Sequence, residues 1–411
     1  MIPKAAFEAA GNSSPGRRLF GRLLKRSILR TLAWLALGCL ALAACTSESG
    51  SGFRMVSGPE QPRTRAAGGS GFTPAVTLEP TMPSTDADSV TQALMDQGYL
   101  RLRLGDFEGA AEAFTGHIEE YGGEVSALLG RGRAWAGAGE FDKAIADFSA
   151  VIELDDEHPE AYEERADALI AAERPIEALD DLGQLARLRP DDPTAYRRRA
   201  LLYIQLGRPD IGEREIERAV ALSGKSAFDH YVLGLAKFGL RDYESALASQ
   251  NRALDMIREQ DLGDGFSAAV LTSRGETNLR LEKHDRAYED LTRALQLGGP
   301  SISVYELRAQ VSYSRERYDQ AAADYALAIQ VDPNSARLYN NLADSRMLAG
   351  NLDLALQNIE TALRLDPTFA TAHQTKGEIL EKLGRIDDAN ESFDNAAELG
   401  FSADSVESPE E

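Results

Sequence analysis

Ala321-Ala322-Ala323-Asp324-Tyr325-Ala326-Leu327-Ala328-Ile329-Gln330-Val331-Asp332-Pro333 is the stretch that decides the fold. Small residues stand at 321 and 328 with an aromatic residue at 325, which is helical spacing along one face. Pro333 then forbids continuation of the helix. Ala355, Ile359, Ala362 and Pro367 repeat the pattern 34 residues later. Working outward, Ala110, Ala144, Ala178, Gly212, Ala246, Ala287, Ala321, Ala355 and Ala389 recur at steps of 34, with a single step of 41 between 246 and 287. Twelve residues before each sits another small residue: Gly98, Gly132, Ala166, Ala200, Gly234, Gly275, Ala309, Ala343 and Gly377.

Two antiparallel helices approach closely only where side chains shrink, so paired small positions predict helical hairpins. Turn signals at Gly105, Gly139, Gly207, Gly350 and Gly384 fall between them and let the chain reverse. This period, with these small, aromatic and proline positions, resembles the tetratricopeptide repeat over residues 89–403. The resemblance implies an all-α, right-handed superhelical solenoid of about nine helix-turn-helix hairpins, with a concave face lined by first helices. The units fall at about 91–124, 125–158, 159–192, 193–226, 227–267, 268–301, 302–335, 336–369 and 370–403. The fourth, with Gly212, and the fifth, where Gln250 replaces a large apolar residue, depart most from the pattern. The seven extra residues around Asp261–Gly265 are expected to lengthen a helix or loop, either as a surface insertion or as a hinge between five units and four.

Ahead of the array, Arg17, Arg18, Arg22, Lys25, Arg26 and Arg30 precede the apolar run 31–44, which is too short to span a bilayer comfortably. It reads as a signal peptide, residues 1–44. Leu42-Ala43-Ala44-Cys45 resembles the lipobox of bacterial lipoproteins, which implies cleavage before Cys45 and acylation of its thiol. An uncleaved signal anchor with a buried cysteine is the alternative. Cys39 fits less well, because Ala36 stands where leucine is expected. Thr46 rather than aspartate follows Cys45, which by that family's sorting pattern implies the outer membrane, facing the periplasm. Residues 46–88 are rich in Ser, Gly, Thr and Pro and read as a flexible tether with a reach on the order of 35 Å. Residues 404–411 read as an acidic disordered tail.

The formal charge is −22, and residues after 45 hold 37 Lys and Arg against 65 Asp and Glu. Such a field repels phosphate backbones, so nucleic-acid binding is not expected. Both cysteines lie before residue 46, which leaves the repeat body without a thiolate metal site, disulfide or cysteine nucleophile. His117, His158, His230, His284 and His373 are scattered, with no ligand spacing, so no cofactor, metal or catalytic residue is expected. Protein or peptide partners are expected instead, with a self-assembled dimer as the competing reading. Candidate groove residues are Ile170, Ile204, Phe238, Leu279, Tyr313 and Met347 in one row, with Leu201, Tyr231 and Leu235 beside it. Ordinary packing between repeats is the competing account of that apolar stripe. Arg197 offers a cation to a partner carboxylate or to neighbouring acids. Chaperone-tail receptors of this family grip a C-terminal carboxylate with Lys and Asn. The corresponding residues are Glu163, Arg197, Tyr231 and Thr272 at one position and Asp167, Leu201, Leu235 and Glu276 at the other, so that clamp is missing.

Overall fold

The computed structural model describes residues 87–401 except 225 and 261. The expected signal peptide, Cys39, Cys45, the expected tether up to residue 86, Asp261 and the expected acidic tail lie outside the described residues. Within them there are eighteen helices and no strand. They are α1 (Ala87–Leu104), α2 (Phe107–Tyr121), α3 (Val125–Gly137), α4 (Phe141–Leu154), α5 (Pro159–Ala171) and α6 (Pro175–Leu188). Then follow α7 (Pro193–Gln205), α8 (Pro209–Ser223), α9 (Ala227–Gly239), α10 (Tyr243–Gln260), α11 (Asp264–Arg280) and α12 (His284–Gly298). The last six are α13 (Ile302–Ser314), α14 (Tyr318–Val331), α15 (Ala336–Leu348), α16 (Leu352–Leu365), α17 (Ala370–Lys382) and α18 (Ile386–Glu398). Odd-numbered helices are the first of each hairpin and even-numbered helices the second.

Local chemistry sets the helix ends. Proline opens α5, α6, α7 and α8, where its missing N–H costs nothing. Asp106, Ser226 and Ser335 cap α2, α9 and α15 by accepting from the backbone N–H of Gly109, Asp229 and Leu338. Every hairpin reverses through one left-handed residue. Five of these are the predicted glycines 105, 139, 207, 350 and 384; the equivalents elsewhere are Glu173, Arg241, Glu282 and Glu316, with φ between 56° and 64°. Those four side chains hold a conformation that costs an L residue about 1 kcal/mol.

The small first-helix positions act as holes for large side chains. A Cβ on Gly98 would lie 2.6 Å from the Phe114 ring, one on Gly132 2.5 Å from Phe148, and one on Gly275 2.8 Å from Leu291. Each of these large residues sits one turn beyond the small residue of the second helix. The backbones are close as well, with Ala287 O only 3.4 Å from where a Gly275 Cβ would be. Phe114, Phe148, Leu291, Tyr325 and Ile359 are fully buried in this way, against Ala110, Ala144, Ala287, Ala321 and Ala355. Gln250 occupies the same site facing Gly234 and is as buried as its apolar counterparts. Its amide donates to Ser273 Oγ at 2.8 Å and Thr277 Oγ1 at 2.9 Å, both on α11.

The described chain forms two compact units, one up to Ala195 and one from Tyr196 on. The division falls inside α7 and not at the 41-residue step, so the expected hinge between five hairpins and four is not where the packing divides. The extra residues instead lengthen both flanking helices: α10 has 18 residues and α11 has 17, against 13 in α9 and α13. Within each unit, successive first helices touch, as α1 does α3, α3 does α5, α9 does α11, α11 does α13 and α15 does α17. They form the inner wall of each stack.

Two substitutions probe this packing in opposite directions. Gly275→Val should lower stability by about 1–3 kcal/mol through overpacking against Leu291. Glu282→Gly should raise it by up to about 1 kcal/mol by relieving the left-handed turn. Urea titration followed by circular dichroism measures both.

Candidate functional site

An arginine stands immediately before the small first-helix residue in five hairpins and reaches an acid sixteen residues later on the second helix. Arg131 Nη2 meets Asp147 Oδ1 at 2.7 Å, Arg165 Nη2 meets Asp181 Oδ1 at 2.6 Å, and Arg274 Nη2 meets Asp290 Oδ1 at 2.6 Å. Arg308 grips Asp324 at 2.5 Å, and Arg199 meets Glu215 at 3.1 Å. The third guanidinium nitrogen turns back to the second helix of the preceding hairpin: Arg131 to Thr115, Arg165 to Ser149, Arg274 to Asn251 and Arg308 to Thr292. One side chain thus ties three helices, and the planar fork of arginine suits it for this.

The same rule governs the buried carboxylates of the first helices, with one exception. Arg197 pairs with Asp229, Arg280 with Glu276 at 3.2 Å, and Arg337 with Glu306. Among the described residues, the buried carboxylates Asp147, Asp181, Asp229, Glu276, Asp290, Glu306 and Asp324 therefore all have an arginine, and Asp344 does not. Asp344 accepts from the Tyr313 hydroxyl instead, and the charge of Glu378 on α17 lies near it. Burial, chiefly, pushes the Asp344 carboxyl up to about 7; the Tyr313 hydrogen bond opposes this and Glu378 adds to it. Tyr325 on α14 senses the same centre and is raised well above its usual value, by burial first and then by Glu306 and Asp344.

The predicted apolar stripe is largely interior. Leu201, Tyr231, Leu279, Tyr313 and Met347 are buried, which corrects their assignment to an open groove. Tyr231 packs edge-on to the rings of Phe228 and Phe266, and Tyr313 edge-on to Tyr318 at 5.3 Å. Met347 joins Ala343, Ala355 and Ile359 in the core of its hairpin. Ile170, Ile204, Leu235 and Phe238 are half-buried. Arg197 is committed to Asp229, which also accepts from Ser223 Oγ at 2.6 Å, so a neighbouring acid and not a partner carboxylate holds it.

The side chains that line the first helices of the later hairpins are polar. Thr272 and Glu276 on α11, Glu306 and Gln310 on α13, Asn340 and Asp344 on α15, and Gln374 and Glu378 on α17 recur three residues before and one after the small position. Reading those two offsets down the repeats would have found them.

The histidines have structural surroundings. His158 Nδ1 caps α5 by accepting from Ala161 N at 3.3 Å, His373 Nε2 lies 3.0 Å from Pro367 O, and His117 is buried against Tyr121. His230 is shifted down by burial and by Arg252. Among the described residues, no group of His, Cys, Asp and Glu could hold a metal ion, and no helix is long and apolar enough to cross a membrane.

The profile of the tetratricopeptide repeat family matches residues 95–162, 136–193, 163–227, 306–370 and 340–405, together more than half of the chain. The chain belongs to the tetratricopeptide repeat family. The stretch that the profile passes over, 228–305, is where Gln250 replaces the apolar knob and where the extra residues lie, yet its helices pack as hairpins like the rest. Among solved structures, a tetratricopeptide repeat protein from Parabacteroides merdae is similar at 19% identity and a TM-score of 0.51, over 62% of this chain and 98% of that one. The pilF protein of Pseudomonas aeruginosa is similar at 20% identity and 0.46, over 54% and 98%. The likeness to the first is one of fold. A search of curated proteins found no match. Tetratricopeptide arrays serve as protein-interaction scaffolds, and this chain has that fold throughout its described part.

Two measurements test the buried charges. Removing one member of an arginine clip, as in Asp324→Ala, should cost about 3–5 kcal/mol, whereas replacing both with Arg308→Met and Asp324→Leu should be close to neutral. Because the folded protein holds the Asp344 proton up to about pH 7, against 3.8 when unfolded, the folded state binds more protons between those values. Unfolding free energy should therefore fall as pH rises through that window, by on the order of 4 kcal/mol at most. Asp344→Asn should abolish that part of the slope in denaturant titrations run from pH 4 to pH 8.

Proposed function

We propose that this tetratricopeptide repeat protein is a non-enzymatic, lipid-anchored scaffold of a bacterial cell envelope, held at the outer membrane through Cys45, that recruits or positions partner proteins in envelope assembly, secretion or cell-wall remodelling. The observation that carries the reading is the presence of Leu42-Ala43-Ala44-Cys45 ahead of the tetratricopeptide repeats in one chain. A diacylated or triacylated cysteine gives durable attachment where one chain alone would not. The docking surface is the inner wall of first helices in the later hairpins, where Gln310, Gln374 and Glu378 are the half-buried polar side chains and rigid helices fix their spacing. The half-buried Ile204, Leu235 and Phe238 supply apolar contact at its start.

A second reading, self-assembly, draws on α1 of the first hairpin, where Leu100 and Leu104 stand one helical turn apart and are exposed. Light scattering on the intact protein in detergent separates the two. A monomer leaves the scaffold reading standing; a dimer that Leu104→Lys dissociates favours self-assembly.

The scaffold reading has two parts and two tests. Mass spectrometry of the mature protein should show an acylated N-terminal Cys45, and a mature chain beginning elsewhere would sink the anchor. Photo-crosslinkers placed at Gln310 and Gln374 should trap the same partner protein, while crosslinkers at exposed second-helix positions such as Gln357 should not.

A further inference from the structure

This inference rests on the reading of the first-helix wall as a docking surface and names the chemistry that it selects. A carboxylate taken out of water needs a cation or a full set of donors. Among the described residues, an arginine reaches each of the other buried carboxylates and none reaches Asp344, which is 9% exposed and accepts from the Tyr313 hydroxyl. The surroundings add acceptors rather than donors. Asn340, one turn earlier on α15 and 6% exposed, has an Oδ1 that receives no hydrogen bond, while its Nδ2 faces Asn341 at 3.4 Å. Gln310 Oε1, three residues before Tyr313 on α13, is buried and equally unpartnered. Glu378 brings a second negative charge from α17. None of these groups supplies a cation to the carboxylate.

We propose that Asp344 is the receptor for a lysine side chain of a partner protein, whose ammonium completes, where α13, α15 and α17 meet, the ion pair that this chain leaves open. Lysine suits the site because its compact head has three donors and no acceptor, where Asp344 stands one helical turn from the unpartnered oxygen of Asn340 and near the charge of Glu378. The chain's overall charge of −22 draws a basic segment toward it before any contact forms.

The test uses the full-length protein in detergent and a fluorescent six-residue peptide of alternating glycine and lysine, read by anisotropy. Asp344→Asn should weaken binding about 10-fold, the loss of one charge-assisted contact. Glu378→Gln should weaken it by about 3-fold, as the second charge in the site. Glu391→Gln, which removes an exposed charge from α18, should change it by less than about 2-fold, and acetylation of the peptide lysines should abolish it. Retained helicity and melting of Asp344→Asn separates loss of binding from loss of fold. Equal effects of Asp344→Asn and Glu391→Gln would show that the peptide senses only the overall field, and the proposal would be wrong. So would binding of free spermidine as tight as that of the peptide, which would make the ligand a polyamine. If crosslinkers at Gln310 and Gln374 still trap a partner while Asp344→Asn leaves its affinity unchanged, the lysine assignment fails and the docking surface stands. If they trap none, the surface itself is wrong.

Discussion

Two helices can lie within a side chain's width of each other only where one of them has almost no side chain. Everything in the described part of this protein follows from meeting that condition in every hairpin. Glycine or alanine on the first helix opens the hole, and a large side chain one turn past the small residue of the second helix fills it, a ring or branched apolar residue except at Gln250. Because no hairpin buries both of its faces alone, each must be stacked on the next. The period of 34 is therefore a packing requirement, and the step of 41 is absorbed where it leaves the holes in register, by winding extra residues onto α10 and α11.

Polar groups enter this scheme on strict terms. Four of the five arginine clips bind three helices at once, so they fix the register between successive hairpins as well as within each. Asp147, Asp181, Asp290 and Asp324 in those four are buried, and the same logic extends to Asp229, Glu276 and Glu306 on the first helices. Against so consistent a pattern, the exception at Asp344 carries information. Among the described residues no cation pairs with it; Tyr313 donates one hydrogen bond and Glu378 adds a second acid. The fifth and sixth hairpins show the contrasting case: Gln250 is polar and fully buried, but Ser273 and Thr277 are placed to receive its amide protons.

Five of the turns, the small positions and the tetratricopeptide character were legible in the sequence, because each rests on local sterics or a fixed period; the left-handed turns at Glu173, Arg241, Glu282 and Glu316 carry no glycine to mark them. The functional surface was legible only in part. A row of apolar residues at helical spacing looks the same whether it lines a groove or a core, and here Tyr231, Leu279, Tyr313 and Met347 proved to be core. Arg197 likewise reads as a free cation until Asp229, 32 residues on, is seen beside it.

What the sequence determined by itself was the alternation of helices and holes, since steric exclusion at a glycine or alanine needs no knowledge of distant residues. What only the tertiary structure decided was which side chains are buried and which charges are answered. Burial and ion pairing depend on residues sixteen or about thirty positions away, brought close by hairpin closure and by stacking. Asp344 stands out from the chain's many acids for that reason: its difference lies in the cation that no neighbouring helix supplies.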